Sequence, residues 1–297
     1  MTKTPLLQVD DLHVSYQGRV GSVPAVRGIS FTLGRERLGI VGESGSGKST
    51  IGRAILGLLP RNATVTARQL RLHDVDLLHA SDRALRDIRG RRISMVLQDP
   101  KFSLNPVMTV GRQIAESYRV HRRAAVAEAR RKTLEMLVAV RIDNPERVYD
   151  LYPHEVSGGM GQRVMIAMML IPEPELLIAD EPTSALDVTV QAQLLTLINE
   201  LIARRGMGLI LISHNLNLVA SFCDRVLIMY AGRVVESCAA AALTDRCCWS
   251  GASRSRPTNG RRSPRSTCAA TPSAPTPTST RPPGTRTTRS SWRAGAT

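Results

Sequence analysis

Three stretches of this chain combine residue types and spacings that could do chemistry. The first, Gly42-Glu43-Ser44-Gly45-Ser46-Gly47-Lys48-Ser49, matches the pattern G-x-x-x-x-G-K-[ST] in full and is followed by Thr50. Glycines at these positions let successive backbone N–H groups curl around a phosphate, aided by the positive end of the helix that follows. Lys48 is placed to bridge β- and γ-phosphate oxygens, and the Ser49 hydroxyl to ligate Mg²⁺. A flexible Gly/Ser turn can match by accident. Here the pattern sits between an apolar run, Leu38 to Val41, and the helix-spaced Ile51, Ala54, Ile55 and Leu58, as a nucleoside triphosphate seat requires.

The second stretch, Leu176-Leu177-Ile178-Ala179-Asp180-Glu181, is an apolar strand ending in two carboxylates. A hard cation held with phosphates takes oxygen ligands, directly or through water, which suits Asp180. Glu181, one residue on, is placed to accept a proton from an attacking water. An acidic strand end or helix cap explains such a pair equally well when it stands alone; beside the first stretch it becomes specific. In the third stretch, Val156 to Val164, Ser157 with Gly158 and Gly159 at a helix start makes a second anion-binding nest. A Gly-Gly loop before a helix is the ordinary alternative.

These residues need a scaffold that delivers strand ends to helix starts. Leu6 to Tyr16 and Val26 to Leu33 predict strands of an N-terminal antiparallel region. Leu176 to Ala179 and Leu209 to Ser213 are short apolar runs between helical segments, the pattern of buried parallel strands, with a helix over Thr189 to Arg204 between them. About Leu104 to Leu170 reads as mostly helical, most clearly from Arg122 to Val140. The fold class that follows is α/β: a P-loop NTPase core with a parallel sheet, an N-terminal antiparallel β region and an inserted helical subdomain at about 104–170. No internal repeat is visible.

Composition divides the chain near Asp245. Residues 246–297 contain ten Arg, no acidic residue and no Leu, Ile, Val or Met, so they carry +10 of the net +15 and leave +5 for the rest. That distribution argues against a nucleic-acid-binding fold for residues 1–245, since the basic signal belongs to the tail. The tail cannot bury enough apolar surface to offset its ordering entropy, which predicts disorder. No run reaches the ~18 apolar residues that span a bilayer; Val164 to Ala179 is broken by Pro172, Glu173, Pro174 and Glu175. Lys3 is followed by Gln8, Asp10 and Asp11, leaving no signal-peptide core, so we expect a cytoplasmic protein. Five cysteines form neither zinc spacing nor a disulfide framework, which leaves reduced thiols.

With Ser157-Gly158-Gly159-Met160-Gly161-Gln162-Arg163 upstream of Asp180-Glu181, the chain resembles the ABC ATPase family, whose signature is Ser-Gly-Gly-x-x-Gln-Arg. The resemblance implies ATP and Mg²⁺ as ligands and further roles by position. Tyr16 would stack on adenine, although a strand-edge tyrosine reads as well. Gln98 would reach the Mg²⁺ and water, or be a surface glutamine beside a Pro turn. Ser184 to Asp187 would cross a dimer interface, with Asp187 also able to cap the next helix. His214 would contact the γ-phosphate. Two such domains would close head to tail, so that Ser157 to Gly159 of one meet the γ-phosphate held by the other.

Gln98-Asp99-Pro100, Ser103 to Pro106, Thr109 to Gly111, Leu151 to Glu155 and Tyr230 to Glu236 are similar to the peptide/nickel branch of importers, the dipeptide and oligopeptide group. That likeness implies a distinct sister ATPase, two membrane permease subunits, indirect coupling to an extracytoplasmic solute-binding protein, and a place on the cytoplasmic face of the bacterial inner membrane. No specific nucleic acid is expected. The alternatives are import of nickel or another small solute, and a non-transport ABC ATPase of DNA repair or ribosomes. The latter carry a long coiled-coil insertion or tandem cassettes, and this chain has neither. A small-molecule kinase conflicts with the signature. Departures are Val156, Gly161 where a basic residue is commoner, and Asn215 where Asp is frequent. Relatives of this branch usually continue past Glu236 into a folded extension with a His-Pro-Tyr-Thr stretch, which does not appear. We therefore read residues from about Arg246 as frameshifted or otherwise aberrant translation; the rival is a genuine basic tail drawn to anionic lipid or nucleic acid.

Overall fold

The computed structural model describes residues 5–18, 21–96, 104–183 and 188–244. Two sheets organise them. β1 (Leu7–Gly18) and β2 (Gly21–Leu33) form a long antiparallel pair, joined by β4 (Ala63–Thr66), β5 (Gln69–Leu72) and β6 (Val75–Asp76). The second sheet runs β11 (Arg233–Ala239), β10 (Arg225–Tyr230), β3 (Arg37–Gly42), β9 (Gly208–Ser213), β8 (Leu176–Asp180), β7 (Ile93–Val96). Its strands pair in parallel except for β11, which runs antiparallel to β10.

The parallel strands are continuous apolar runs because both of their faces are covered. Alternation along each strand divides its side chains between two cores. Leu176, Ile178, Ile210 and Ile212 face a core shared with Leu7, Leu12, Ile29 and, from α1 (Lys48–Ile55), Ile51 and Ile55. Leu177, Ala179, Leu209 and Leu211 face the opposite core, built with Val164 and Leu170 and with Leu194 and Leu201 of α7 (Val188–Arg205). The parallel sheet is thus a middle layer, and the ends of its strands are where charged groups can emerge.

Between β7 and β8 the described residues form α3 (Val110–Arg122), α4 (Val126–Ala139), α5 (Pro145–Asp150) and α6 (Gly158–Leu170), following α2 (Asp82–Ile88) earlier in the chain. The stretch expected to be most clearly helical, Arg122 to Val140, is α4 over most of its length, preceded by a break. Arg122 ends α3, Arg123 adopts a left-handed φ of 52°, and α4 begins at Val126. The expected helical face through Leu58 is likewise shorter. α1 stops at Ile55, Gly57 turns left-handed at φ 61°, and Leu58 is 49% exposed. The remaining expected strands match in place, each longer by one to five residues at an end.

The insert packs tightly at one point that invites a test. A Cβ on Gly111 would lie 2.1 Å from Tyr149 Cγ and Cδ2, over the face of a buried ring that also has the Arg130 guanidinium 4.8 Å from its centroid. Alanine favours a helix over glycine by about 0.5–1 kcal/mol. Overpacking a rigid ring costs about 1–3 kcal/mol and wins. Gly111→Ala should lower the melting temperature by several degrees in calorimetry; an unchanged or higher value would refute the close contact.

Candidate active site

The buried strand β3 ends at Gly42, and the chain turns through Glu43 to Gly47 into α1. Gly45 and Gly47 take left-handed φ values of 80° and 96°, which a side chain resists. At Gly47 a Cβ would also stand 2.4 Å from Ala25 O, so glycine is required there twice over. Lys48, 5% exposed, donates from Nζ to Gly42 O and Glu43 O, both at 2.8 Å. Burial pulls its pKa below the usual lysine value, opposed by the charges of Glu181 and Asp180. The loop is therefore closed on itself by its own cation.

β8 delivers the two carboxylates. Asp180, 4% exposed, accepts from Ser49 Oγ at 2.8 Å. Burial raises its pKa, against the Ser49 hydrogen bond and the positive charges of Arg53 and Lys48. Ser49 and Asp180 form an oxygen-only pair, and among the described residues no group of three or more His, Cys, Asp or Glu could hold a metal by itself. Glu181 turns out of the strand with a left-handed φ of 47°, its N–H donating to Ile212 O at 2.9 Å. A non-glycine residue there costs on the order of 1–2 kcal/mol. The turn aims its carboxylate across the strand end, where Oε1 accepts from His214 Nδ1 at 3.0 Å. His214 follows β9, the neighbouring strand, and is exposed.

Tyr16, Ala25, Ser44, Gly45, Gly47, Lys48, Ser49, Thr50, Glu181 and His214 line one cleft of about 680 Å³. Tyr16 Oη stands 3.4 Å from Thr50 Oγ1, so the aromatic named from sequence and the phosphate loop share this cleft. Gly42, Glu43 and Ser46 belong to the loop but do not line the cleft; Ser46 is 5% exposed and its Oγ has no partner among the described residues. Ser157 and Gly158 are exposed and do not line this cleft. Ser157 caps α6, accepting from Met160 N–H at 3.3 Å, and Gly158 and Gly159 form the first turn behind it. Gln98 and Ser184 to Asp187 lie outside the described residues.

Two departures find local explanations. Asn215 caps α8 (Leu216–Phe222), accepting from Leu218 N–H at 3.1 Å, a task Asp performs equally well. At Gly161 a Cβ would meet nothing within 4 Å, so the missing side chain leaves no packing defect. Sequence reasoning missed Ala25, whose methyl carries no chemical signal, and Arg53, whose charge acts on Asp180 from one turn beyond Ser49.

The ABC transporter family model matches residues 26–184. The chain is 52% identical over 242 residues to a probable peptide ABC transporter ATP-binding protein of Sinorhizobium fredii, covering 81% of this chain and 71% of that one. It is 48% identical to the dipeptide transport ATP-binding protein DppD of Bacillus subtilis, covering 78% and 70%. Among solved structures, the ATP-binding cassette MJ0796, a dimer in a post-hydrolysis state bound to ADP and Pi, superposes with a TM-score of 0.71 at 26% identity, covering 79% of this chain and 98% of that one.

Proposed function

The chain belongs to the ABC transporter family, and from that premise we propose that its ATPase activity energises a membrane importer of dipeptides or oligopeptides. The observation that carries the reading is the single cleft in which the phosphate loop, Glu181 and His214 converge, with Asp180 joined to it through Ser49, in a chain about half identical to peptide and dipeptide transport subunits.

The loop N–H groups and Lys48 hold the β- and γ-phosphate oxygens, with Tyr16 at the base end of the cleft. Ser49 and Asp180 fit a hard cation, because both offer oxygen and their spacing of 2.8 Å already brings the two ligand atoms together. Together they would hold Mg²⁺, which would supply positive charge against the phosphates. Glu181 accepts the proton of the attacking water, and His214, held by Glu181 Oε1, faces the γ-phosphate. Catalysis is positioning plus electrostatics.

Ser157 to Gly159, of which Ser157 and Gly158 are exposed on the insert, serve the nucleotide of a second ATPase subunit, a distinct sister. Gln98 relays the nucleotide state to two permease subunits, which an extracytoplasmic solute-binding protein supplies. No helix among the described residues is long and apolar enough to cross a membrane, and we place the chain peripherally on the cytoplasmic face of the inner membrane. Affinity purification of the full chain from detergent-solubilised membranes tests this. Permease subunits should co-purify and peptide uptake should require the chain; co-purification with ribosomes or DNA instead would refute import.

A further inference from the structure

The turn joining β10 to β11 holds none of the reacting groups, yet it touches the phosphate loop directly. Gly232 N–H donates to Ser46 O at 3.1 Å, and Gly232 O accepts from Arg27 N–H of β2 at 2.8 Å. Just before the turn, Met229 O stands 2.3 Å from where a Cβ on Gly42 would lie. From the other side, Ala25 O lies 2.4 Å from the Cβ position of Gly47 and 2.7 Å from that of Gly232. The loop is wedged between β2 and this turn, with glycine at every contact.

The consequence is electrostatic. A phosphate loop works only while its N–H groups face the ligand and its carbonyls are turned away and satisfied. Gly42 O and Glu43 O accept from Lys48, and Gly47 O from Ile51 N–H at 3.2 Å, all within the loop and α1. The Ser46 carbonyl takes its donor from Gly232, far along the chain. β2 extends the brace, because Ala25 lines the cleft and Val23 pairs with Tyr16. Ala231 and Gly232 are both left-handed, at φ 45° and 81°, the pair of conformations a tight hairpin of this kind needs.

We propose that Gly232 is a positioning residue for the nucleotide: its backbone holds the Ser46 carbonyl and β2 in one network, keeping the loop N–H groups aimed at the phosphates. This inference rests on reading the loop as the phosphate seat. The test uses the full chain, ATP with Mg²⁺ as the probe, titration calorimetry for affinity, and melting without nucleotide for stability. Gly232→Ala introduces strain at φ 81° and a methyl against Ala25 O. Gly206→Ala is the control: φ is 59°, the site is exposed, and a Cβ meets only the flexible end of Arg35 at 3.2 Å.

Both variants should melt lower, and only Gly232→Ala should weaken ATP binding, by about tenfold, the scale of one well-placed hydrogen bond. Parental affinity in Gly232→Ala, or equal weakening in Gly206→Ala, would overturn the proposal. If Gly232→Ala does not fold, Gly232→Asn replaces it, since Asn tolerates a left-handed φ but keeps the Cβ. Weakened ATP binding in that variant supports the proposal, and parental affinity overturns it. A parent chain that binds no ATP would overturn the phosphate-seat reading and this inference together.

Discussion

Replacing Glu181 with glutamine should leave ATP binding close to the parent and slow hydrolysis by about 10²–10⁴-fold, the usual contribution of a positioned general base. The substitution is informative because of what it keeps. Glutamine retains Oε1, so the acceptor for His214 Nδ1 at 3.0 Å survives and the left-handed turn at φ 47° is unchanged. What disappears is the basicity of the carboxylate. Loss of turnover with intact binding therefore points to proton transfer, not to collapse of the strand end. The signature is a fall in kcat with little change in KM. His214→Ala makes the complementary probe: it removes the partner and leaves the base. Turnover retained in Glu181→Gln would rule out Glu181 as the base, whatever His214→Ala did.

The parts of this site legible in the sequence are those whose chemistry demands particular residues in unbroken order. The phosphate loop cannot be built without its glycines and lysine, and the pair Asp180-Glu181 ends a strand that four buried apolar residues mark plainly. The break between α3 and α4 was hidden because Arg123 turns left-handed with neither Gly nor Pro near it, and Ala125 caps α4 with no side-chain bond. β4 and β6 were hidden because they are short and partly exposed, held by pairing with β1 and β5 rather than by apolar pattern. The Gly232 contact with Ser46 is a backbone bond, and a backbone donor leaves no trace in residue type. The readings made of Gln98, Ser184 to Asp187 and residues 246–297 fall outside the described residues and stand as expectations.

Removal of Lys48 should be the most severe single change to nucleotide affinity. In the free chain its ammonium satisfies two loop carbonyls at 2.8 Å and sits buried near Asp180 and Glu181. Lys48→Ala strips those carbonyls of a donor, which destabilises, and relieves the desolvation of a buried cation, which stabilises; the two effects oppose each other. The nucleotide-free melting temperature should therefore move by only a few degrees. Binding has no such offset, because a bound triphosphate loses a charge-assisted contact worth about 1.5–3 kcal/mol and the loop loses the closure that shapes it, so affinity should fall about 10²–10³-fold. The thermal stabilisation that saturating ATP gives the parent, about 2.7 kcal/mol at a concentration of 100 Kd, should vanish in the variant. Lys48→Arg should not restore it. A guanidinium is a planar fork in a seat shaped for a compact ammonium, so it keeps the charge and misses the geometry. Full rescue by arginine would mean that the lysine acts through net charge alone, and an unchanged ATP affinity in Lys48→Ala would remove it from the site altogether.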